Sequence, residues 1–128
     1  MACIVIAGDD VEAAAFIGYS LEMAGHKVHT AHGGANVLGL VRRERPELVV
    51  LDHGPPGTTG LEVVTALRAD PGTAPVLILL ISDGDPGPEA AIVDRLVRKP
   101  LRPRQLAALA AGLLGAPVVP AQRTSPSG

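Results

Sequence analysis

Four short apolar runs, each closing on a polar or turn-forming residue, recur along the chain with a helical pattern after each of them. They occupy residues 3–7 (CIVIA), 48–51 (LVVL), 76–81 (VLILLI) and 96–97 (LV), and a fifth, weakly alternating segment at 27–31 (KVHTA) reads as an outer strand. Runs this short suit buried strands and are too brief for helices. Regular alternation of strand and helix predicts an α/β fold in which a parallel sheet is covered by helices on both faces. In such sheets the ligand-binding edge lies beyond the carboxyl ends of the strands.

The intervening segments supply the helices. Asp9 and Glu12 have capping-box spacing, Ala13, Phe16, Ile17, Leu21 and Ala24 share one face, and Gly25 stops the helix. Ala35, Leu38 and Val41 predict a second helix, closed before Pro46. Thr59 and Glu62 repeat the capping spacing, and Leu61, Val64 and Leu67 carry a third helix to Ala69. After the loop at 83–88 (DGDPGP), only residues 89–93 remain for a fourth helix, about a turn and a half at 3.6 residues per turn. Pro103 suits the first turn of a last helix, with Leu106, Leu109, Ala110 and Leu113 inward. Residues 1–115 are therefore expected to form one domain, and 116–128 a flexible tail or truncated linker.

Composition agrees with this plan. Of 128 residues 47% are hydrophobic but only 2% aromatic, so the core must be aliphatic. A formal net charge of -2 provides no basic field for nucleic acid or anionic lipid, so neither is expected as a direct partner. The single cysteine, Cys3, excludes an internal disulfide. No signal peptide is visible and the longest apolar run is too short to cross a bilayer, so a cytoplasmic location is expected.

The chemistry-bearing residues stand at the strand ends. Strand 1 runs into Asp9-Asp10, strand 3 into Asp52, strand 4 into Ser82 and strand 5 into Lys99. A parallel sheet brings these ends to one edge. Clustered carboxylates repel unless a cation joins them, and a hard divalent ion such as Mg²⁺ takes such oxygens. Asp52 could serve as a carboxylate nucleophile toward a phosphoryl group, with Lys99 and the Ser82 hydroxyl holding its oxygens. The run Gly54-Pro-Pro-Gly-Thr-Thr-Gly60 has the outline of a nucleotide-binding loop. Thr59 replaces its second glycine and Gly60 its lysine, so no ATP site is expected. His26, His29, His32 and His53 lack metal-ligand spacing and are read as structural or surface residues.

These residues give the chain a specific resemblance. The stretch RPELVVLDHGPPGTTGLEVVTALRADP, with Ser82 and Lys99-Pro100 beyond it, resembles the receiver domain of two-component response regulators, the CheY-like family. The resemblance covers residues 2 to about 114. It implies a flavodoxin-like, doubly wound five-stranded parallel sheet in the order 2-1-3-4-5. It makes Asp52 the phospho-acceptor, Ser82 the switch hydroxyl and Lys99 the conserved-type lysine, before a commonly cis proline bond. It places Pro56 on the loop proline, Gly60 on the glycine that opens the third helix, and the Gly54 carbonyl among the Mg²⁺ ligands with Asp52 and Asp9 or Asp10. It implies a sensor histidine kinase or phosphotransfer protein as donor, and a downstream output protein or a missing C-terminal output domain. The chain would be a non-enzymatic phosphoryl acceptor with slow autodephosphorylation.

Three features depart from the family pattern. A gapless register puts Gly8 and Asp9 on the family's acidic pair, whereas a one-residue shift restores Asp9 and Asp10. The connection between Ser82 and Lys99 is short. Leu96 replaces the family's switch aromatic. These departures raise an alternative, a pseudo-receiver acting as a phosphorylation-independent docking module. A flavodoxin-like enzyme is disfavoured by the near absence of aromatics for stacking a flavin.

Overall fold

Alternation along each strand builds two cores at once. In β1 (Cys3–Gly8), Ile4 and Ile6 face one side of the sheet and Val5 and Ala7 the other. In β3 (Leu48–His53) the same split separates Leu48 and Val50 from Val49 and Leu51. In β4 (Leu77–Ser82) it separates Leu79 and Ile81 from Ile78 and Leu80. A strand buried on both faces must be apolar at every position, which is why these runs are continuous rather than alternating in sequence.

The computed structural model describes residues 2–8, 10–32, 34–53, 59–82 and 88–115. Together with β2 (Lys27–Ala31) and β5 (Arg95–Arg98), the strands form one parallel sheet in the order β2-β1-β3-β4-β5. This is the expected doubly wound order. α1 (Val11–Met23) and α4 (Pro103–Leu114) cover one face, while α2 (Gly34–Glu44) and α3 (Thr59–Ala69) cover the other. Among the described residues no helix is long and apolar enough to cross a membrane.

The helix ends are set by local chemistry. Asp10 is the N-cap of α1, its Oδ1 accepting from the Glu12 and Ala13 backbone N–H groups at 3.0 and 3.2 Å. The capping residue is thus Asp10, not Asp9, which lies outside the described residues. The inner face of α1 also differs from expectation. It is Ala14, Ile17, Gly18 and Leu21 that are buried, while Phe16 is half exposed. Gly18 lies on the buried face, where a Cβ would stand 3.4 Å from the Ile6 side chain, in ordinary van der Waals contact. Gly25, at φ 96°, turns the chain into β2 as expected. Pro103 occupies the first turn of α4, and the Arg102 N–H donates to Gln105 Oε1 at 2.9 Å.

The fourth expected helix is a five-residue 3-10 segment, Pro88–Ile92. So few residues cannot meet the nucleation cost of an α-helix. Thr59 is the first residue of α3, while the loop at 83–87 and the tail at 116–128 lie outside the described residues.

Candidate functional site

Asp52 is the penultimate residue of β3, flanked by Gly8 of β1 and Ile81 of β4 in the sheet register. Central placement between two paired strands buries its side chain to 2% exposure. A carboxylate this buried needs a compensating charge. Lys99 supplies it from just beyond β5, its Nζ 2.8 Å from Asp52 Oδ1. The lysine is drawn in by its own backbone, whose N–H donates to the Ser82 carbonyl at 2.9 Å and extends the β4–β5 ladder by one bond. The Lys99–Pro100 peptide bond is cis.

Ser82 closes β4 at 1% exposure, in register with His53 and Arg98. The sheet thus brings Asp52, Ser82 and Lys99 to one edge, as their strand-end positions imply. Asp10 stands at the start of α1 on the same edge, with Oδ1 engaged by the helix cap. Asp9, Gly54 and Pro56 lie outside the described residues. Gly60 is the second residue of α3.

Gly8 carries a constraint that the sequence reading did not identify. A Cβ built there would stand 3.1 Å from Asp52 Cβ and 3.7 Å from Asp52 Oδ2. Backbone therefore approaches Asp52 more closely than an ordinary side chain allows. An isolated glycine at the end of an otherwise aliphatic strand was the available signal. His32, next to Gly8 across the sheet, has Nδ1 3.3 Å from the Gly8 carbonyl, a bond in which the ring must donate. Two other histidines serve local structure. His29 pairs with Glu44 at 3.3 Å, and His26 Nδ1 accepts from the Ala2 N–H at 3.3 Å.

Among the described residues no three His, Cys, Asp or Glu side chains gather to hold a metal ion. The chemistry of Asp52 nevertheless suits a cation. Its Oδ1 is paired with the Lys99 ammonium at 2.8 Å, and a carboxylate has lone pairs beyond the one that this contact engages. Hard carboxylate oxygen is what a divalent ion such as Mg²⁺ takes, and the acidic Asp9-Asp10 pair follows directly on Gly8.

The outer face of α1 runs away from this edge. It exposes Val11, Phe16, Tyr19 and Met23, which include the only phenylalanine and the only tyrosine of the chain. In a protein whose core is wholly aliphatic, both aromatics face solvent on one helix.

Comparison with known proteins follows the same lines. A family model described as the response regulator receiver domain matches residues 4–111. The chain is 36% identical over 99 residues to the transcriptional regulatory protein PrrA of Mycobacterium tuberculosis, covering 74% of this chain and 42% of PrrA. It is 30% identical over 114 residues to the alkaline phosphatase synthesis transcriptional regulatory protein PhoP of Bacillus subtilis, covering 87% of this chain and 48% of PhoP. The chain thus spans less than half the length of these relatives. The structure of the chemotaxis response regulator CheY4 of Vibrio cholerae has the same fold, with a TM-score of 0.77 at 24% identity, covering 88% of this chain and 98% of CheY4.

Proposed function

The chain belongs to the response regulator receiver domain family, and from that premise we propose that it accepts a phosphoryl group on Asp52 from a sensor histidine kinase or phosphotransfer protein. The observation that carries this reading is the buried Asp52 carboxylate held against Lys99 at a sheet edge that also bears Ser82. A carboxylate oxygen of Asp52 attacks the phosphorus of a phosphohistidine. The O–P bond of an acyl phosphate forms, the N–P bond breaks, and the departing imidazole nitrogen retains the electron pair. Lys99 exchanges its contact with Asp52 Oδ1 for one with a phosphoryl oxygen. The Ser82 hydroxyl donates to another. Asp9 or Asp10, Asp52 and the Gly54 carbonyl would hold Mg²⁺, which when bound offsets charge on the phosphoryl oxygens. Slow hydrolysis of the acyl phosphate would reset the domain.

The exposed apolar stripe on α1 starts beside this edge and offers the donor protein a surface to rest on. Output would pass to a downstream protein or to a C-terminal output domain. In this reading the domain works in the cytoplasm and does not itself grip nucleic acid. Leu96 packs against the α2–α3 core as an ordinary aliphatic. It has no hydroxyl to exchange between environments, so the response to phosphorylation runs through Ser82 and the short connection to β5. The pseudo-receiver alternative is not favoured, because the Asp52–Lys99 pair is intact.

Mass spectrometry after incubation with acetyl phosphate and Mg²⁺ tests the assignment. Wild type should gain one phosphoryl mass and Asp52→Asn none. Equal labelling of the variant would remove Asp52 from the role.

A further inference from the structure

β5 is the least self-sufficient strand of the sheet. It has four residues, Arg-Leu-Val-Arg, and lies at an edge. In β4, Ile78, Leu79, Leu80 and Ile81 are essentially fully buried, and each helps to fix that strand. In β5 only Leu96 and Val97 are apolar, and both are half-buried. Leu96 packs toward the α2–α3 core and Val97 toward the α1–α4 core. A slip of one residue would keep one aliphatic on each face but set an arginine beside Leu80 or Ile81. Hydrophobic pattern therefore separates the two registers by a single exchanged position. The site distinguishes them sharply. A one-residue slip moves Lys99 by about 3.3 Å and turns it to the face opposite Asp52.

The discriminating contacts sit at the other end of the strand. Asp94, just before β5, makes a reciprocal pair with Ile78: its N–H donates to the Ile78 carbonyl at 3.0 Å, and its Oδ2 accepts from the Ile78 N–H at 2.8 Å. Arg68 of α3 donates to the same Asp94 Oδ2 at 2.8 Å and to the Ile92 carbonyl at 2.9 Å. The other arm of its guanidinium donates to the Ala74 and Val76 carbonyls at 2.6 and 2.7 Å. One planar side chain thus ties the end of α3, the approach to β4 and the approach to β5. Neither arrangement survives a slip, because Asp94 would no longer stand opposite Ile78.

We propose that Arg68 and Asp94 lock β5 in the register that delivers Lys99 to Asp52, and so act as positioning residues for phosphoryl acceptance from the far edge of the sheet. The need is particular to a chain whose connection before β5 is a 3-10 segment rather than a helix. The functional half of the proposal rests on Asp52 being the acceptor; the register half does not.

Two measurements on the full chain decide it. Amide hydrogen exchange on Asp94→Ala and Arg68→Ala, without donor or Mg²⁺, should show protection lost at Val97 and Lys99, whose N–H groups face β4, but kept at Val5 and Val49. That arm stands even if Asp52 takes no phosphoryl group. Labelling by acetyl phosphate should slow on the order of tenfold in either variant, because misplacing one charged group is costly. The Mg²⁺ concentration for half-maximal labelling should stay unchanged, since Lys99 is not a ligand. In a Lys99→Ala background the same substitutions should cause no further slowing. If Arg68→Ala fails to fold, Asp94→Asn keeps the shape and removes the charge, and should give a partial form of the same pattern. Protection lost evenly across the sheet, protection unchanged in β5, or equal slowing with and without Lys99 would each overturn the proposal.

Discussion

Lys99 Nζ lies 2.8 Å from Asp52 Oδ1 although β4 separates the strands that carry them. The lysine reaches across the end of a neighbour to neutralise a carboxylate that no solvent can serve. Removing it leaves that carboxylate buried and unpaired. Because the Lys99 side chain is itself 29% exposed, Lys99→Ala should cost about 2 kcal/mol, below the range for fully buried pairs. Phosphoryl labelling should slow on the order of a hundredfold, as for loss of one preorganised charge donor. Lys99→Arg should not restore it, since a planar fork does not replace a point charge. Urea unfolding and a labelling time course check both; a wild-type labelling rate in Lys99→Ala would remove the lysine from the mechanism.

Gly8 gives a second test. Gly8→Asp should tighten Mg²⁺ several-fold by adding an oxygen ligand beside Asp52. The same change should destabilise the metal-free domain, because the new Cβ presses on Asp52 at 3.1 Å and the two carboxylates repel. Gly8→Ala separates the effects. It should cost about 1 kcal/mol through crowding alone and leave Mg²⁺ affinity unimproved. Titration with Mg²⁺ monitored by amide chemical shifts, beside urea midpoints, would show whether charge or space governs this position.

Two carboxyls far from the site should carry part of the domain's acid sensitivity. The Gly72 N–H, and after it the Arg42 side chain, holds the Asp70 carboxyl below its ordinary value of 3.8. The Arg43 side chain, then the charge of His29, lowers Glu44 below 4.5. A carboxyl depressed on folding stabilises the domain fully above its unfolded value, and that contribution fades as pH falls through the folded value. The stability gap between wild type and Asp70→Asn should be constant above about pH 5 and shrink below it. A gap that widens on acidification would contradict the assignment.

Arg45 adopts φ 48° at the end of α2, where its N–H donates to the Val41 carbonyl at 2.9 Å before Pro46. Left-handed backbone costs a side chain about 1 kcal/mol or more, which glycine avoids at some loss of entropy. Arg45→Gly should therefore raise stability by about 0.5 kcal/mol. A thermal or urea midpoint that falls would show that the arginine side chain compensates for the strain.

Much of this architecture was legible in the chain because buried parallel strands leave an unmistakable trace. The runs at 48–51 and 76–81 are apolar at every position since both faces are covered, and Asp52 and Ser82 stand out as the polar residues that end them. Asp52, Ser82 and Lys99 could be assigned to one edge from strand polarity alone. What escaped notice depends on distances across the sheet. α1 buries Ala14 and Gly18 and exposes Phe16, a choice of face that a count of large apolar residues at helical spacing does not register. Choosing Asp10 over Asp9 as the cap required the actual turn between β1 and α1. The Arg68–Asp94 clamp joins residues whose types are unremarkable and whose partners are mostly backbone carbonyls, a class of contact with no sequence signature.

An interior built only from aliphatic side chains is also an optically silent one. The chain has no tryptophan, and its single tyrosine, Tyr19, is 64% exposed on the outer face of α1. Intrinsic fluorescence and near-ultraviolet dichroism would therefore report the surroundings of one surface helix, and could stay nearly unchanged while the core melts or the edge around Asp52 rearranges. The same residue becomes an asset when a second protein settles on α1, because its emission would then change against almost no background.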